Sequence, residues 1–175
     1  SRGEILGYHA GWPCGTFSRI RFTGSKPFPR PVRSRGFLLG LPSNSTWQQQ
    51  EADAGTLGAV RSGHLCKEMR KAELTFQSRR TATGENPADP GIDPFPSAFL
   101  LDVWAEILGD SSSEEATFAL CKFGTAGGGL LFSKPLTFAG WLRGLNTLSG
   151  KCVCPSGTVH ARFSSWEATR QSGQY

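Results

Sequence analysis

Alternation of apolar and polar residues predicts a series of short strands along this chain. In the first third, three segments have the composition of strands separated by glycine- and proline-rich turns: 3–9, 15–24 and 36–41. In the second half the pattern recurs at 72–78, 116–123, 128–134, 138–145 and 158–166. The glycine-rich stretch "GTAGG" between 116–123 and 128–134 predicts a hairpin. We therefore expect the last four segments to form an antiparallel meander.

One segment has helical rather than alternating periodicity. Between 97 and 110, Ser97 can cap the first turn and Gly109 can end the helix. An apolar stripe at three- and four-residue spacing lies between them: Phe99, Leu100, Val103, Trp104, Ile107 and Leu108. The residues 81–96, rich in Pro, Gly, Asn and Asp, predict a long loop, and 42–70 predicts a loop excursion with one or two minor strands. The expected fold is mainly β (α+β), with antiparallel sheets or a small barrel-like domain and one amphipathic helix on the sheet.

Length and composition fit one domain with a continuous core. The chain has 175 residues, of which 38% are hydrophobic and 19% charged, and 22 glycines and 11 prolines indicate many turns. No apolar run approaches the ~20 residues that span a bilayer, so we expect no membrane insertion. The first residues also lack the basic-then-apolar pattern of a secretion signal.

The net charge of +5 bears on possible partners. Its basic residues are dispersed, and the densest run, "RPVRSRG" at 30–36, lies in proline-rich sequence. Nucleic-acid binding would favour basic residues interleaved with stacking aromatics on a recognisable module, which the sequence does not display. The pattern favours an ordinary solvated basic surface, with a basic β-rich nucleic-acid- or glycan-binding domain as the alternative.

The cysteines indicate free thiols rather than a disulfide scaffold or a metal site. Their number, five, is odd: Cys14, Cys66, Cys121, Cys152 and Cys154. If "CVC" at 152–154 lies in a strand, its two thiols point to opposite faces, which is unfavourable for joint metal ligation. "HLC" at 64–66 also lacks the two-to-four-residue gap of a zinc knuckle. We expect buried free thiols, a reducing cytoplasmic site of folding, and no metal or other cofactor.

Catalytic motifs do not stand out. The sequence has no G-x-S-x-G elbow, no H-E-x-x-H and no phosphate loop. A Cys–His pair can be drawn, most suggestively within "HAGWPCG" at 9–15, but spacing alone selects none. Asp102 and Glu106, four residues apart, lie on the polar side of the predicted helix. The prediction is that the chain is not an enzyme.

An ordered series of segments resembles the protruding domain of calicivirus capsid proteins, noroviruses in particular. The series runs over roughly 72–166: "AELTFQSRR", "FLLDVWAEILG", "SSSEEATFALCKFGTAGGGLLFSK", "FAGW" and "PSGTVHARFSSW". The opening "GEILGYHAGWPCGTFSRIRFTGSKPFP" is a weaker match to the start of the same domain. The resemblance implies proximal segments at about 1–41 and 71–175, with a reduced distal subdomain at about 42–70.

This resemblance also implies a function. It is that of a spike on a non-enveloped icosahedral particle, assembled in the host cytoplasm and exposed on the virion surface. Such domains form homodimers, contact neighbouring capsid subunits and bind host attachment factors, commonly glycans. In many noroviruses, Ser-Gly-Tyr on the equivalent strand contacts a fucose-like sugar, and Ala139-Gly140-Trp141 takes its place here.

The predicted glycan site therefore consists of Gly140, Trp141 and Arg143. On a strand, Trp141 and Arg143 would share one face, giving a stacking plane and a bidentate donor. The alternative is that Trp141 is a core aromatic and Arg143 a solvated surface residue.

Overall fold

The main structural element is an open, four-stranded mixed sheet. The computed structural model describes residues 6–22, 30–76, 80–124, 126–127, 130–132 and 134–161. The sheet contains β1 (Gly7–Gly11), β2 (Thr81–Pro87), β3 (Glu114–Ala119) and β6 (Pro135–Trp141), in the order β1-β2-β6-β3. β1 runs parallel to β2, and β6 is antiparallel to both β2 and β3. The coarse α+β prediction is confirmed, whereas the barrel-like closure is wrong because the sheet is open.

A long helix, α1 (Thr46–Phe76), replaces the loop predicted at 42–70 from residue 46 onward and the strand predicted at 72–78 over 72–76, while 77 and 78 lie outside the described residues. The strand prediction is wrong because Leu74 and Phe76 are exposed on the last turns of the helix.

The loop prediction over 42–70 is wrong for a different reason. The helix buries a stripe of small residues in place of large apolar ones: Ala52, Gly55, Ala59, Ser62, Gly63 and Cys66. Their three- and four-residue spacing is helical, but such small side chains give little hydrophobic contrast with the polar face. Small residues also let the helix approach its neighbours closely.

The second helix, α2 (Asp102–Gly109), confirms the predicted amphipathic helix in a shorter form. A 3₁₀ turn (Ala98–Leu100) precedes it, and the Ser97 hydroxyl accepts the Phe99 N–H at 3.3 Å. Trp104 is fully buried, and its Nε1–H donates to the Ala59 carbonyl on α1 at 2.9 Å. Helix α2 thus anchors α1 against the sheet, in the core position that its apolar stripe predicts.

The central strand β2 lies in a segment, 81–96, whose composition predicts a loop. Its sequence "TATGENP" is poor in the apolar residues of a typical strand, because one face packs against indole rings rather than aliphatic side chains. A Cβ on Gly84 would lie 2.1 Å from the Trp104 ring, so glycine is required for this close approach. The predicted loop is therefore wrong over 81–87.

Four other predictions differ from the structure. The segment 15–24 contains a turn and a 3₁₀ helix (Arg19–Phe22) over its described part, and 36–41 is irregular, with Leu39 exposed. The meander is also wrong, because β6 lies between β2 and β3 and pairs with both. The strand predicted at 158–166 begins at His160, and its residues after Ala161 lie outside the described part of the chain.

A smaller three-stranded sheet adjoins the main one. It contains β4 (Ala126–Gly127), β5 (Leu130–Phe132) and β7 (His160–Ala161), with β4–β5 antiparallel and β5–β7 parallel. Phe132 of β5 packs in a second apolar cluster, whose other members include Phe118, Leu136 and Leu145. Within the described ranges, neither helix combines the length and hydrophobicity needed to cross a bilayer.

Candidate metal centre

The end of β3 positions the first residue of a cysteine–histidine cluster. After Ala119 the chain enters a 3₁₀ turn (Leu120–Phe123), in which Cys121 is buried. Leu120 N–H donates to the Lys134 carbonyl at 3.1 Å, and Gly124 ends the turn in the left-handed conformation. These contacts fix the backbone on both sides of Cys121.

Two further cysteines reach Cys121 because their segment is attached alongside β3. Gly150 N–H donates to the Thr117 carbonyl at 3.0 Å, and its own carbonyl accepts from Ala119 N–H at 3.2 Å. The Lys122 ammonium donates to the carbonyls of residues 148 and 149, at 2.9 and 2.8 Å. Cys152 and Cys154 follow this attachment in an irregular stretch. These hydrogen bonds hold residues 148–150 beside β3, so that both thiols lie close to Cys121.

The fourth member, His160, returns to the cluster through a tight turn. Thr158 N–H donates to the Pro155 carbonyl at 3.0 Å, and β7 then pairs His160 with Leu131 of β5. This strand pairing sets the position of the imidazole. The cluster thus joins β3, the segment 150–155 and the smaller sheet at one point.

The ligand atoms have the spacing of a tetrahedral metal site. His160 Nε2 lies 3.4 Å from Cys152 Sγ and 3.3 Å from Cys154 Sγ. All four ligand atoms, including Cys121 Sγ, lie within 4.8 Å of one another. A tetrahedral zinc ion with bonds of about 2.0–2.3 Å requires separations of roughly 3.5–3.8 Å between its ligands. The two separations between His160 Nε2 and the sulfurs of Cys152 and Cys154 therefore differ from these values by only a few tenths of an ångström.

The three thiols influence each other's protonation. Burial raises the pKa of the Cys121 thiol to about 12, and the neighbouring sulfurs reinforce that rise. The backbone N–H of Cys154 is the main cause that lowers the pKa of Cys152, whereas desolvation raises the pKa of Cys154. Because like charges oppose ionisation of all three thiols together, a divalent cation would stabilise the triple-thiolate state.

The sequence prediction that argued against a metal rested on a strand that the structure does not contain. Residues 151–155 are irregular, so Cys152 and Cys154 are not forced to opposite faces. The overlooked signal is the turn chemistry around "CVC", with Gly150, Pro155 and Gly157 nearby. No sequence rule pairs this C-x-C-x₅-H run with Cys121, which lies 31 positions before Cys152. All five cysteines are free of disulfides, but the predicted burial holds only for Cys66 and Cys121, because Cys152 is exposed and Cys14 and Cys154 are partly exposed.

The residues predicted to contact a glycan lie at the end of β6. Trp141 is 8% exposed and belongs to the main core, which matches the core alternative. Gly140 has a φ of 141°, and a Cβ there would lie 2.1 Å from the Ala82 carbonyl, so this glycine serves the sheet contact. Arg143 is exposed in the turn after β6, beyond the last residue of that strand. The strand geometry that would place Trp141 and Arg143 on one face therefore does not extend to Arg143.

His9 and Cys14, which the sequence offered as a possible catalytic Cys–His pair, line a cleft of about 640 Å³. His9 and Cys14 both contribute to its wall, together with Glu85. His9 Nδ1 lies 2.9 Å from Thr83 Oγ1, and Nε2 lies 3.6 Å from a Glu85 carboxylate oxygen. Because both ring nitrogens face other partners, His9 is not arranged as a base for the Cys14 thiol.

Comparisons with known proteins identify no relative. No protein-family model, curated protein or solved structure matches the chain. The resemblance to calicivirus capsid proteins therefore stays a prediction, together with the homodimer and the host attachment that it implies. The first segment on which that resemblance rests, "AELTFQSRR", forms the last part of α1 over 72–76 instead of a strand.

Proposed function

We propose that this chain is a zinc-stabilised domain in which Cys121, Cys152, Cys154 and His160 hold one Zn²⁺ ion. The observation that carries the proposal is the convergence of three sulfurs and one imidazole nitrogen within 4.8 Å. Residues far apart in the sequence reach this point from a 3₁₀ turn, an irregular segment and a strand. Thiolate and imidazole ligands in tetrahedral arrangement favour zinc over the oxygen-preferring cations Mg²⁺ and Ca²⁺.

A structural role fits this ligand set better than a catalytic one. Four protein ligands fill a tetrahedral shell, whereas catalytic zinc sites keep one position for water or substrate. The strands that the site ties together have only two or three residues each in the smaller sheet. Such short strands are marginal on their own, so a metal crosslink supplies stability that their hydrogen bonds lack.

Metal analysis tests the proposal directly. Protein purified without added metal should contain one zinc per chain by plasma mass spectrometry. The cobalt-substituted protein should show thiolate-to-metal charge transfer and tetrahedral d–d absorption. Cys154→Ser and His160→Ala should lower the metal content and alter the cobalt spectrum. Cys14→Ser, a thiol outside the cluster, is the matched control.

Two results would overturn the proposal. The first is protein that binds no zinc when refolded with a stoichiometric amount under reducing conditions. The second is zinc binding that Cys14→Ser and Cys154→Ser reduce equally, because the metal would then not occupy the described cluster.

A further inference from the structure

The segment that builds the metal centre carries the whole net charge of the protein. Residues 116–166 include no Asp or Glu, although the chain has 14 acidic residues. Five basic residues lie in the same segment: Lys122, Lys134, Arg143, Lys151 and Arg162. Outside it, 14 basic residues balance 14 acidic ones, so the formal charge of +5 belongs to 116–166 alone. A segment with a surplus of positive charge is a favourable place for an anionic partner to bind.

We call the described part of this segment the basic lobe (residues 116–124, 126–127, 130–132 and 134–161), and its strands β3 and β6 also belong to the main sheet. The lobe includes most of β3, all of β6, the smaller sheet and the metal ligands. A zinc ion bound by three thiolates and a neutral imidazole has one net negative charge. The lobe therefore stays positive when the metal is bound.

An exposed aromatic ring lies beside the metal ligands on this lobe. Phe123 is 51% exposed and follows Cys121 by two residues. Its ring packs edge-on against Phe118, with centroids 5.0 Å apart and an interplanar angle of 85°. The contact limits the motion of the ring without covering it. Lys122 Nζ lies 5.7 Å from the Phe123 centroid, so a cation accompanies the exposed face.

A second exposed cation, Lys151, directly precedes the cluster member Cys152. Phe123 follows Cys121 by two residues, and the donor atoms of these two cysteines lie within 4.8 Å of each other. The lobe therefore has both an exposed aromatic ring of restricted motion and solvent-exposed positive charge.

We propose that the basic lobe binds single-stranded nucleic acid, with Phe123 stacking on a base and Lys151 contacting the phosphate backbone. Proteins that bind single strands use this combination, because every base offers a flat face and every linkage a negative charge. An acidic polypeptide could pair its carboxylates with the lysines. It would not in general need an exposed aromatic ring of restricted motion beside them. The proposal adds a partner to the zinc-stabilised domain, and it depends on the zinc proposal only for the ordered lobe.

Fluorescence anisotropy with labelled 20-nucleotide oligo(dT) and oligo(U) tests the inference on the zinc-loaded chain. Binding should weaken as salt is raised, and Lys151→Ala should reduce the salt slope by about 0.7 for its single phosphate contact. Arg61→Ala removes one exposed charge from α1, outside the lobe, and should leave the slope unchanged.

The stacking contact has its own matched pair of variants. Phe123→Ala should weaken binding roughly 5- to 150-fold, the effect of losing one base–aromatic stack. Phe123→Trp should restore it, which separates stacking from a folding defect. Phe76→Ala removes another exposed phenyl ring, 69% exposed on α1, and should have no effect. Zinc content and melting temperature are measured for every variant.

Three outcomes would overturn the inference. One is the absence of oligonucleotide binding by protein that contains its zinc, a result that leaves the metal proposal intact. Another is equal weakening by Phe123→Ala and Phe76→Ala. The third is retention of heparin but not of oligonucleotides, which would assign the basic lobe to an acidic glycan. A chain that takes up no zinc on refolding with the metal, yet binds oligonucleotides through Phe123, would refute the metal proposal and retain this one.

Discussion

Replacing Gly84 by alanine tests how closely the main sheet packs against the helices. Gly84 lies in the middle of β2, and a Cβ there would lie 2.1, 2.7 and 2.9 Å from three atoms of the Trp104 ring. Carbon atoms in contact are normally about 3.5–4.0 Å apart, so the ring would have to move by more than about 1 Å. Gly84 is not in the left-handed region of backbone conformation. The substitution therefore introduces the steric conflict without backbone strain.

The indole ring has no free direction of movement. It stacks on Trp12 at 4.9 Å, meets Phe99 edge-on at 5.4 Å, and is hydrogen-bonded to the Ala59 carbonyl. Overpacking of this kind costs about 1–3 kcal/mol. Loss of the buried indole hydrogen bond would add about 1–3 kcal/mol. We expect Gly84→Ala to lower the free energy of unfolding by about 2–6 kcal/mol.

Urea denaturation of the zinc-loaded protein measures this difference, with thermal melting as a second observable. For a chain of this size the loss corresponds to a fall in melting temperature of roughly 4–24 °C. Gly11→Ala is the matched control, because a Cβ on that strand glycine meets nothing within 4 Å and should change stability by less than about 0.5 kcal/mol. Combining Gly84→Ala with Trp104→Phe should be less destabilising than the sum of the single changes. If Gly84→Ala is as stable as the control, Trp104 does not pack on β2 as described.

Three further predictions concern the core, the thiols and the oligomeric state. Trp104→Ala should cost about 3–5 kcal/mol in chemical denaturation, and an unchanged midpoint would remove α2 from the core. Brief alkylation of the native zinc-loaded protein should modify Cys14 and spare Cys66, whose pKa burial raises to about 12; chelation of the metal should then expose Cys152 to the reagent. Mass mapping that finds Cys66 modified as fast as Cys14 would contradict this burial. The capsid resemblance predicts a homodimer, so light scattering that shows a monomer at all concentrations would count against it.

Large apolar residues made some elements readable from the sequence. Helix α2 follows from the stripe that contains Trp104 and Ile107, both fully buried. Strand β6 follows from the alternation around Phe138, although its bounds differ by a few residues. In α2 the buried face differs strongly in hydrophobicity from the exposed face, whereas β6 is buried on both faces and is marked by its large apolar residues. The contrast in α2 is what periodicity detects.

The missed elements bury small or polar residues instead. Helix α1 packs through residues such as Ala59 and Gly63, whose pattern predicts a polar loop when it is judged by hydrophobicity. Strand β2 is central, yet it contains Gly84 and Asn86 because its helix-facing side must make room for aromatic rings of the core. Close packing between elements, rather than local propensity, decides both structures, and a single sequence does not contain that information in a local window.

The metal centre could be predicted only in part for a related reason. The run from Cys152 to His160 is local, and its turn residues are visible in the sequence. Cys121 joins it through the parallel bridge between Phe118 and Gly150, a contact of the tertiary structure. From the sequence alone, only three of the four ligands can be grouped. The fourth, Cys121, can be assigned only when the topology is known.

The positive charge of the basic lobe bears on how the proposed zinc ion would stabilise it. The segment 116–166 has five basic residues and no acidic ones, so the carboxylates that offset its charge lie outside it, as Glu114 does where it accepts the N–H groups of Gly144 and Asn146 at 3.1 Å. Its three clustered cysteines are the side chains there that can supply negative charge when a metal holds them as thiolates. Lys122 illustrates the shortage of anions, because its ammonium binds two backbone carbonyls rather than a carboxylate. Replacing lysines by glutamates would ease the repulsion but would also abolish attraction for a polyanion. A zinc–thiolate crosslink stabilises the lobe and leaves most of its positive charge in place, which is what a surface that binds nucleic acid requires.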